Sequence, residues 1–362
     1  MNERKSFIDN LRWMDVFLLI PYHAAQSFNT WGELNYIFFT PDKFIASFIV
    51  FFSPFFMPLL FLLAGMSTKY ALEKRTYKQF VTERVKRLLV PFATGTLVFC
   101  PVLSYIGDKT NFGYEGNFFE HYKIFFTKWT DLSGFDGGFN VGQFWFLFYL
   151  FIISLVSVGI IAITRHVFKK RRENRNLPFW TICLFAAVLP FLYDVLAVGG
   201  KSFAEYLFIF LSGYFIFADD HVIAKAQKCR WISFAIGFCA SVANVYMFVW
   251  SGKDFGIMNV VAKSVAEWFM ILALLGIGKK RLDFKGKASS FMSRTSFAYF
   301  SFHFIWIVLF QFWLSDAFVG NIVLLYFIPV LVSYAVTFFC SIVSFKIPFL
   351  SFLMGAKSDR KK

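Results

Sequence analysis

The sequence predicts an all-α fold, a polytopic membrane bundle of about ten transmembrane helices, and three observations predict it. Hydrophobic residues make up 58% of the chain and charged ones only 16%, well under the roughly 25% charged share of a soluble globular domain. The apolar residues gather in runs near the length of about 20 residues that a helix needs to cross a bilayer. Those runs are far too long for the strands of a barrel, which need only about 10 residues of alternating polarity.

Taken in order, with breaks at charge clusters, the runs lie near 11–28, 44–65, 88–106, 143–164, 178–198, 203–218, 231–250, 258–278, 296–314 and 321–345. If the N-terminus is cytoplasmic, the segments 1–12, 66–87, 165–176, 219–230, 279–294 and 346–362 share that side and hold 30 of the 37 lysines and arginines. The positive-inside rule therefore puts both termini in the cytoplasm, and an even span count agrees. The net charge of +15 is then topological and attracts anionic lipid of the bilayer; it calls for no nucleic acid.

The run after Val16 continues into aromatic and polar residues without a small-x-small site, so the first span is expected to be retained and not cleaved. Five cysteines, Cys100, Cys183, Cys229, Cys239 and Cys340, lack CxxC spacing, which predicts buried thiols and neither a disulfide framework nor a metal site. A single membrane domain over 1–350 and a short basic cytoplasmic tail over 351–362 fill the chain.

The longest non-cytoplasmic segment, about 107–142, combines Asp108, Glu115, Glu120, Asp131 and Asp136 with aromatic rings and turn-forming glycines. Carboxylates accept hydroxyl protons and rings stack on C–H faces, so the segment suits a sugar-like ligand; a solvated loop anchored by interfacial aromatics is the other reading.

Ionisable groups inside spans are costly in lipid and mark candidate sites. Asp15 and His23 in the first span, Glu267 in the eighth and His303 in the ninth qualify. Asp15 follows Arg12 by three residues, a spacing that suits an ion pair as well as a catalytic acid. Arg12 and His23 are eleven residues apart, which returns a helix to within about 20° and lifts it about 16 Å. A histidine can take a proton from a hydroxyl near neutral pH, although a lone histidine on an apolar face is also often just hydrogen-bonded in a core.

The stretch Phe7-Ile8-Asp9-Asn10-Leu11-Arg12-Trp13-Met14-Asp15 and on to His23 resembles the opening of the acyltransferase family 3 proteins, closest to the branch of periplasmic glucan succinyltransferases. In the same order come Glu83-Arg84-Val85-Lys86-Arg87-Leu88-Leu89-Val90-Pro91, similar to the family's paired arginines before a proline, then Phe144-Trp145-Phe146-Leu147 and Ser296-Phe297-Ala298-Tyr299-Phe300-Ser301-Phe302-His303.

The resemblance implies a membrane O-acyltransferase of a bacterial cytoplasmic membrane. It would move an acetyl or succinyl group from cytoplasmic acyl-CoA, a co-substrate and not a tightly bound cofactor, to a hydroxyl of an extracytoplasmic glycan or polysaccharide. His23 would be the general base and Asp15 its orienting or balancing partner. Arg84 and Arg87, one helical turn apart, would grip the donor's phosphates together with Arg12; positive-inside anchoring is the competing reading of those arginines. Trp145, Glu267 and His303 would contact acceptor or complete a polar cluster. Ten helices bearing buried acids and histidines also suit a transporter, and a glycan-export partner without acyl transfer is a third reading.

Overall fold

The computed structural model describes residues 5–167 and 177–355. Three parts of the expected basic segments, 1–4, 168–176 and 356–362, lie outside the described residues. Apart from its loops, the described chain is helical, and its one hairpin pairs Ala197–Val198 with Lys201–Ser202. That hairpin turns through Gly199 and Gly200, both at positive φ, as a tight two-residue turn requires.

Helix α1 covers Ser6–Gln26. It is followed by α2 (Lys43–Leu72), α3 (Tyr77–Phe112), α4 (Phe118–Thr127), α5 (Gly142–Val167), α6 (Phe179–Leu192), α7 (Phe203–Phe217), α8 (Asp220–Lys228), α9 (Arg230–Trp250), α10 (Ile257–Arg281), α11 (Lys287–Leu314), α12 (Ile322–Lys346) and α13 (Pro348–Leu353). Seven of these, α2, α3, α5, α9, α10, α11 and α12, are long and apolar enough to cross a membrane, and α7 with α8 makes an eighth if that pair, bent by 101°, is one span.

The expected count of about ten is therefore not confirmed among the described residues, for two physical reasons. Every 18-residue window of α1 contains Asp9, Arg12 and Asp15, so its apolar character is diluted although its 21 residues rise about 31 Å. The run at 178–198 is broken by a 3-10 turn at Leu184–Ala187 and by Pro190, and its helix ends at Leu192.

The chain forms two compact units. The first comprises Met1–Asp15, Val50–Arg84 and Tyr149–Ser289. Its densest packing sets α9 along α10, where a Cβ on Gly237 would stand 2.8 Å from Met270. The buried Trp268 ring donates its Nε1 hydrogen to the Ile182 carbonyl at 2.8 Å and holds α6 in place. Here too α2 meets α7 backbone to backbone: a Cβ on Gly65 would lie 2.0 Å from the Phe210 carbonyl oxygen, and one on Gly213 would lie 2.2 Å from that of Leu62. Small residues allow membrane helices to approach this closely.

The second unit comprises Val16–Ile49, Val85–Phe148 and Ser290–Lys362. Phe144 fills the space over Gly95, where a Cβ would be 2.2 Å from its ring. Pro91 cannot donate a backbone hydrogen bond to the Arg87 carbonyl, and the chain accommodates this with a π-helical turn at Val85–Leu89. Arg84 and Arg87 were expected one ordinary turn apart; the widened turn between them changes that register.

Candidate active site

In the first unit two of the expected donor-binding arginines converge. Arg12 pairs with Asp9 at 3.1 Å and donates from Nη2 to the Ser67 hydroxyl at 2.8 Å. Arg84 donates from Nη2 to the neighbouring Thr68 hydroxyl at 3.0 Å, and its guanidinium lies 4.6 Å from the centre of the Phe80 ring. Ser67 and Thr68 in turn donate to the Leu63 and Ala64 carbonyls, each at 2.8 Å. Two cations are thus fixed on adjacent hydroxyls of α2, a donor-rich patch of the kind that binds phosphate oxygens.

Asp15 departs from its expected ion pair. Arg12 turns one helical step toward the N-terminus to Asp9, and Asp15 stays buried with Oδ2 lacking any hydrogen-bond partner. Glu267 belongs to this unit as well. Its carboxyl meets that of Glu205 within hydrogen-bonding reach, with Lys263 close by. Glu205 is set in the first turn of α7 by the Ser202 cap.

In the second unit the expected histidines come together. The His23 and His303 rings are 5.3 Å apart between centres, and Phe304 packs against His23 at 4.6 Å. His303 is fully buried, with Nδ1 2.6 Å from the Phe300 carbonyl oxygen. A carbonyl only accepts, so Nδ1 carries the proton, and in the neutral ring Nε2 presents a lone pair. No hydrogen-bond partner meets that Nε2. His23 is only half-buried, which leaves it within reach of a substrate.

The position of His23 is fixed by the proline two residues before it. Pro21 lacks the N–H that would bond the Phe17 carbonyl, and Tyr334 of α12 supplies the missing donor with its hydroxyl at 2.9 Å. Beyond His23, Gln311 of α11 donates to the Ala24 carbonyl at 3.0 Å and accepts from the Ser27 hydroxyl at 3.0 Å.

Trp145 opens α5 half-buried, edge-on to Phe146. The neighbouring Gln143 was not anticipated: its amide reaches the Ser301 carbonyl at 3.3 Å and its Oε1 is buried without a partner. Tyr299, one turn before His303 and stacked on Phe17 at 4.9 Å, likewise buries a hydroxyl with no partner. Gln143 adjoins, and Tyr299 lies within, the aromatic motifs of the sequence, and only their own polarity there could have flagged them. Among the described residues no group of three or more His, Cys, Asp and Glu gathers where it could hold a metal ion.

The acidic loop is built differently from the sugar-binding expectation. Asp108 meets His121 at 3.1 Å, Asp136 pairs with Lys128 at 3.2 Å, Asp131 accepts from Ser133, and Glu120 completes a capping box with Asn117 at the start of α4. Four of its five acids therefore hold the loop itself.

Asp136 is pulled below the usual carboxylate range even though burial pushes upward, because the Gly138 amide, Lys128 and Thr130 all favour its charge. His121 behaves oppositely. Burial among Tyr105 and Tyr114 is the largest influence and lowers its pKa; Asp108 pulls upward, and Lys128 adds to the lowering.

A histidine held below its unfolded value contributes stability that is present above about pH 6.5 and lost as pH falls through that value. The protection of amides in 114–128, with exchange corrected for its intrinsic pH dependence, is expected to fall as pH drops below about 6.5, and a His121→Phe chain to lose that slope. An unchanged slope in that variant removes His121 as the cause.

Comparison with known proteins adds the family. The acyltransferase domain of acyltransferase family 3 matches residues 5–345. Glucans biosynthesis protein C from Salmonella paratyphi B and from Salmonella agona is similar, each 22% identical over 337 residues and covering 83% of this chain and 82% of the relative. The same protein from Salmonella enteritidis matches at the same level. No solved structure matches the chain.

Proposed function

Because the chain belongs to acyltransferase family 3 and is a multi-pass membrane acyltransferase, we propose that it carries an acetyl or succinyl group from cytoplasmic acyl-CoA to a hydroxyl of a glycan outside a bacterial cytoplasmic membrane. The observation that carries this reading is that α1 bears Arg12 near one end and His23 near the other, about 16 Å apart along its axis. On that one helix Arg12 is the cation for the donor's phosphates and His23 the base for the acceptor hydroxyl.

Arg12 and Arg84 hold the donor's phosphates, with Arg87 as a further cation for them. His23 takes the proton of the acceptor hydroxyl, the oxygen attacks the thioester carbonyl, and the C–S bond breaks to release the CoA thiolate. The lone pair on His303 Nε2 accepts a hydrogen bond from a second, neighbouring hydroxyl of the acceptor and helps orient it. Asp15 is a balancing carboxyl, and Trp145 lines the acceptor side. The relatives' name, glucans biosynthesis protein C, supports a glucan as the acceptor.

The test uses purified protein in nanodiscs with acetyl-CoA or succinyl-CoA and a glucan, following CoA release. Acceptor-dependent release supports the reading; its absence with every acceptor, together with solute flux in liposomes, would overturn it in favour of a transporter. Arg84→Ala is expected to raise KM for acyl-CoA about tenfold with a smaller change in kcat, since a charge-assisted hydrogen bond contributes about 1.5–3 kcal/mol. An unaltered KM would return Arg84 to the role of a topological anchor.

A further inference from the structure

A cavity of about 560 Å³ opens within the second unit, lined by the segment after α1, the end of α3, and the end of α11 with the start of α12. Its volume falls in the range of small-molecule sites, about 300–1,000 Å³. Its chemistry is balanced between rings and polar groups. Phe38 and Phe312 offer ring surface, while Thr40, Lys109, Asn111 and Asp316 offer donors and acceptors.

These groups are available in a definite way. Asn111 spends its amide hydrogens on the Asn35 and Phe135 carbonyls, each at 2.9 Å, which fixes its Oδ1 as an acceptor. Asp316 is exposed and has no partner among the described residues. Among the described residues Lys109 reaches only the Tyr105 hydroxyl, at a long 3.5 Å, and the same ring. One cation and one anion line the same space, so the cavity is matched to a neutral ligand rich in hydroxyls and not to an anion, which Asp316 would repel. Ring faces beside hydroxyl-binding groups are the features that hold a sugar.

Two packed rings separate the cavity from the histidines. Ile37 and Phe39 line it. Tyr36, beside them, packs edge-on against Phe304 at 5.8 Å, and Phe304 packs on His23. Along α11, His303 and Phe312 are nine residues apart, about 13 Å on the helix axis. A ligand in the cavity is therefore held beyond the reacting hydroxyl.

We infer that this cavity is a distal acceptor subsite that binds uncharged sugar units of an oligosaccharide one or more rings away from the hydroxyl at His23. The inference rests on the proposed glycan acceptor. It relocates carbohydrate recognition from the acids of the 107–142 loop, four of which are engaged internally, to the cavity beside them.

The experiment is calorimetric titration of the whole protein in nanodiscs, without acyl donor, using glucose and linear glucose oligosaccharides of increasing length. Affinity is expected to rise with length, and Phe312→Ala and Asp316→Ala are each expected to weaken the longer sugars about tenfold. Phe119→Ala, a ring exposed on α4 outside the cavity, should bind as the unaltered chain does. No binding at any length, or cavity variants that bind normally, would overturn the inference. Acyl transfer to glucan that survives both cavity variants unchanged would leave the proposed function standing and remove the subsite. Sugar binding lost in those variants, with no CoA release from any chain, would do the reverse.

Discussion

Replacing His23 with alanine is expected to lower kcat for acyl transfer by about 10²- to 10⁴-fold, the usual contribution of a positioned general base. KM for acyl-CoA should move little, because the donor's phosphates are held by arginines of the first unit, about 16 Å away along α1. Steady-state CoA release at saturating donor separates the two parameters. His303→Ala provides the contrast. Its Nε2 is an unpartnered acceptor whose removal costs orientation, so a smaller loss is expected. A His303→Ala chain as inactive as His23→Ala, with His23→Ala retaining measurable turnover, would transfer the base assignment to His303.

The second large effect is on assembly. At Gly65 a Cβ would enter to 2.0 Å from the Phe210 carbonyl oxygen, and at Gly213 to 2.2 Å from that of Leu62. The obstructing atoms are backbone on both sides, so no side chain can swing away; the helices themselves must separate. Overpacking of this kind costs about 1–3 kcal/mol even where neighbours can adjust, and Gly65→Val should yield little folded protein. Gly65→Ala is the measurable variant, with thermal unfolding in detergent as the readout and a clear fall in Tm expected. Gly159→Ala is the control: that glycine lies on α5 with nothing within 4 Å of its would-be Cβ. Equal Tm values for the two alanine variants would refute the crossing as a stabilising contact.

The long apolar helices were legible because their composition alone determines them: α2, α5, α10 and α12 carry few interior charges. Helix α1 was legible as a helix but not as an apolar one, since Asp9, Arg12 and Asp15 interrupt it. The partner of Arg12 was not legible at all. Asp9 and Asp15 lie three residues to either side of it, and helical periodicity treats the two positions alike; only the surrounding packing chose Asp9. The meeting of His23 with His303 and of Glu205 with Glu267 joins residues far apart in sequence, which no local pattern encodes. Which of its two readings the 107–142 loop takes was not legible for a related reason: composition counts carboxylates without telling whether a neighbouring amide, lysine or histidine already occupies them.

The tie between Phe17 and Tyr334 has a consequence for how the chain is made. Ribosomes deliver α1 first and α12 almost last, with 317 residues between the two bonded groups. Throughout synthesis the carbonyl left open by Pro21 has no native donor, and an unmet backbone group in lipid is costly. A nascent chain stalled before α12 would thus carry a first helix still lacking its native clasp, two residues from the histidine it is meant to present. Completion of the last long helix is the event that closes the first.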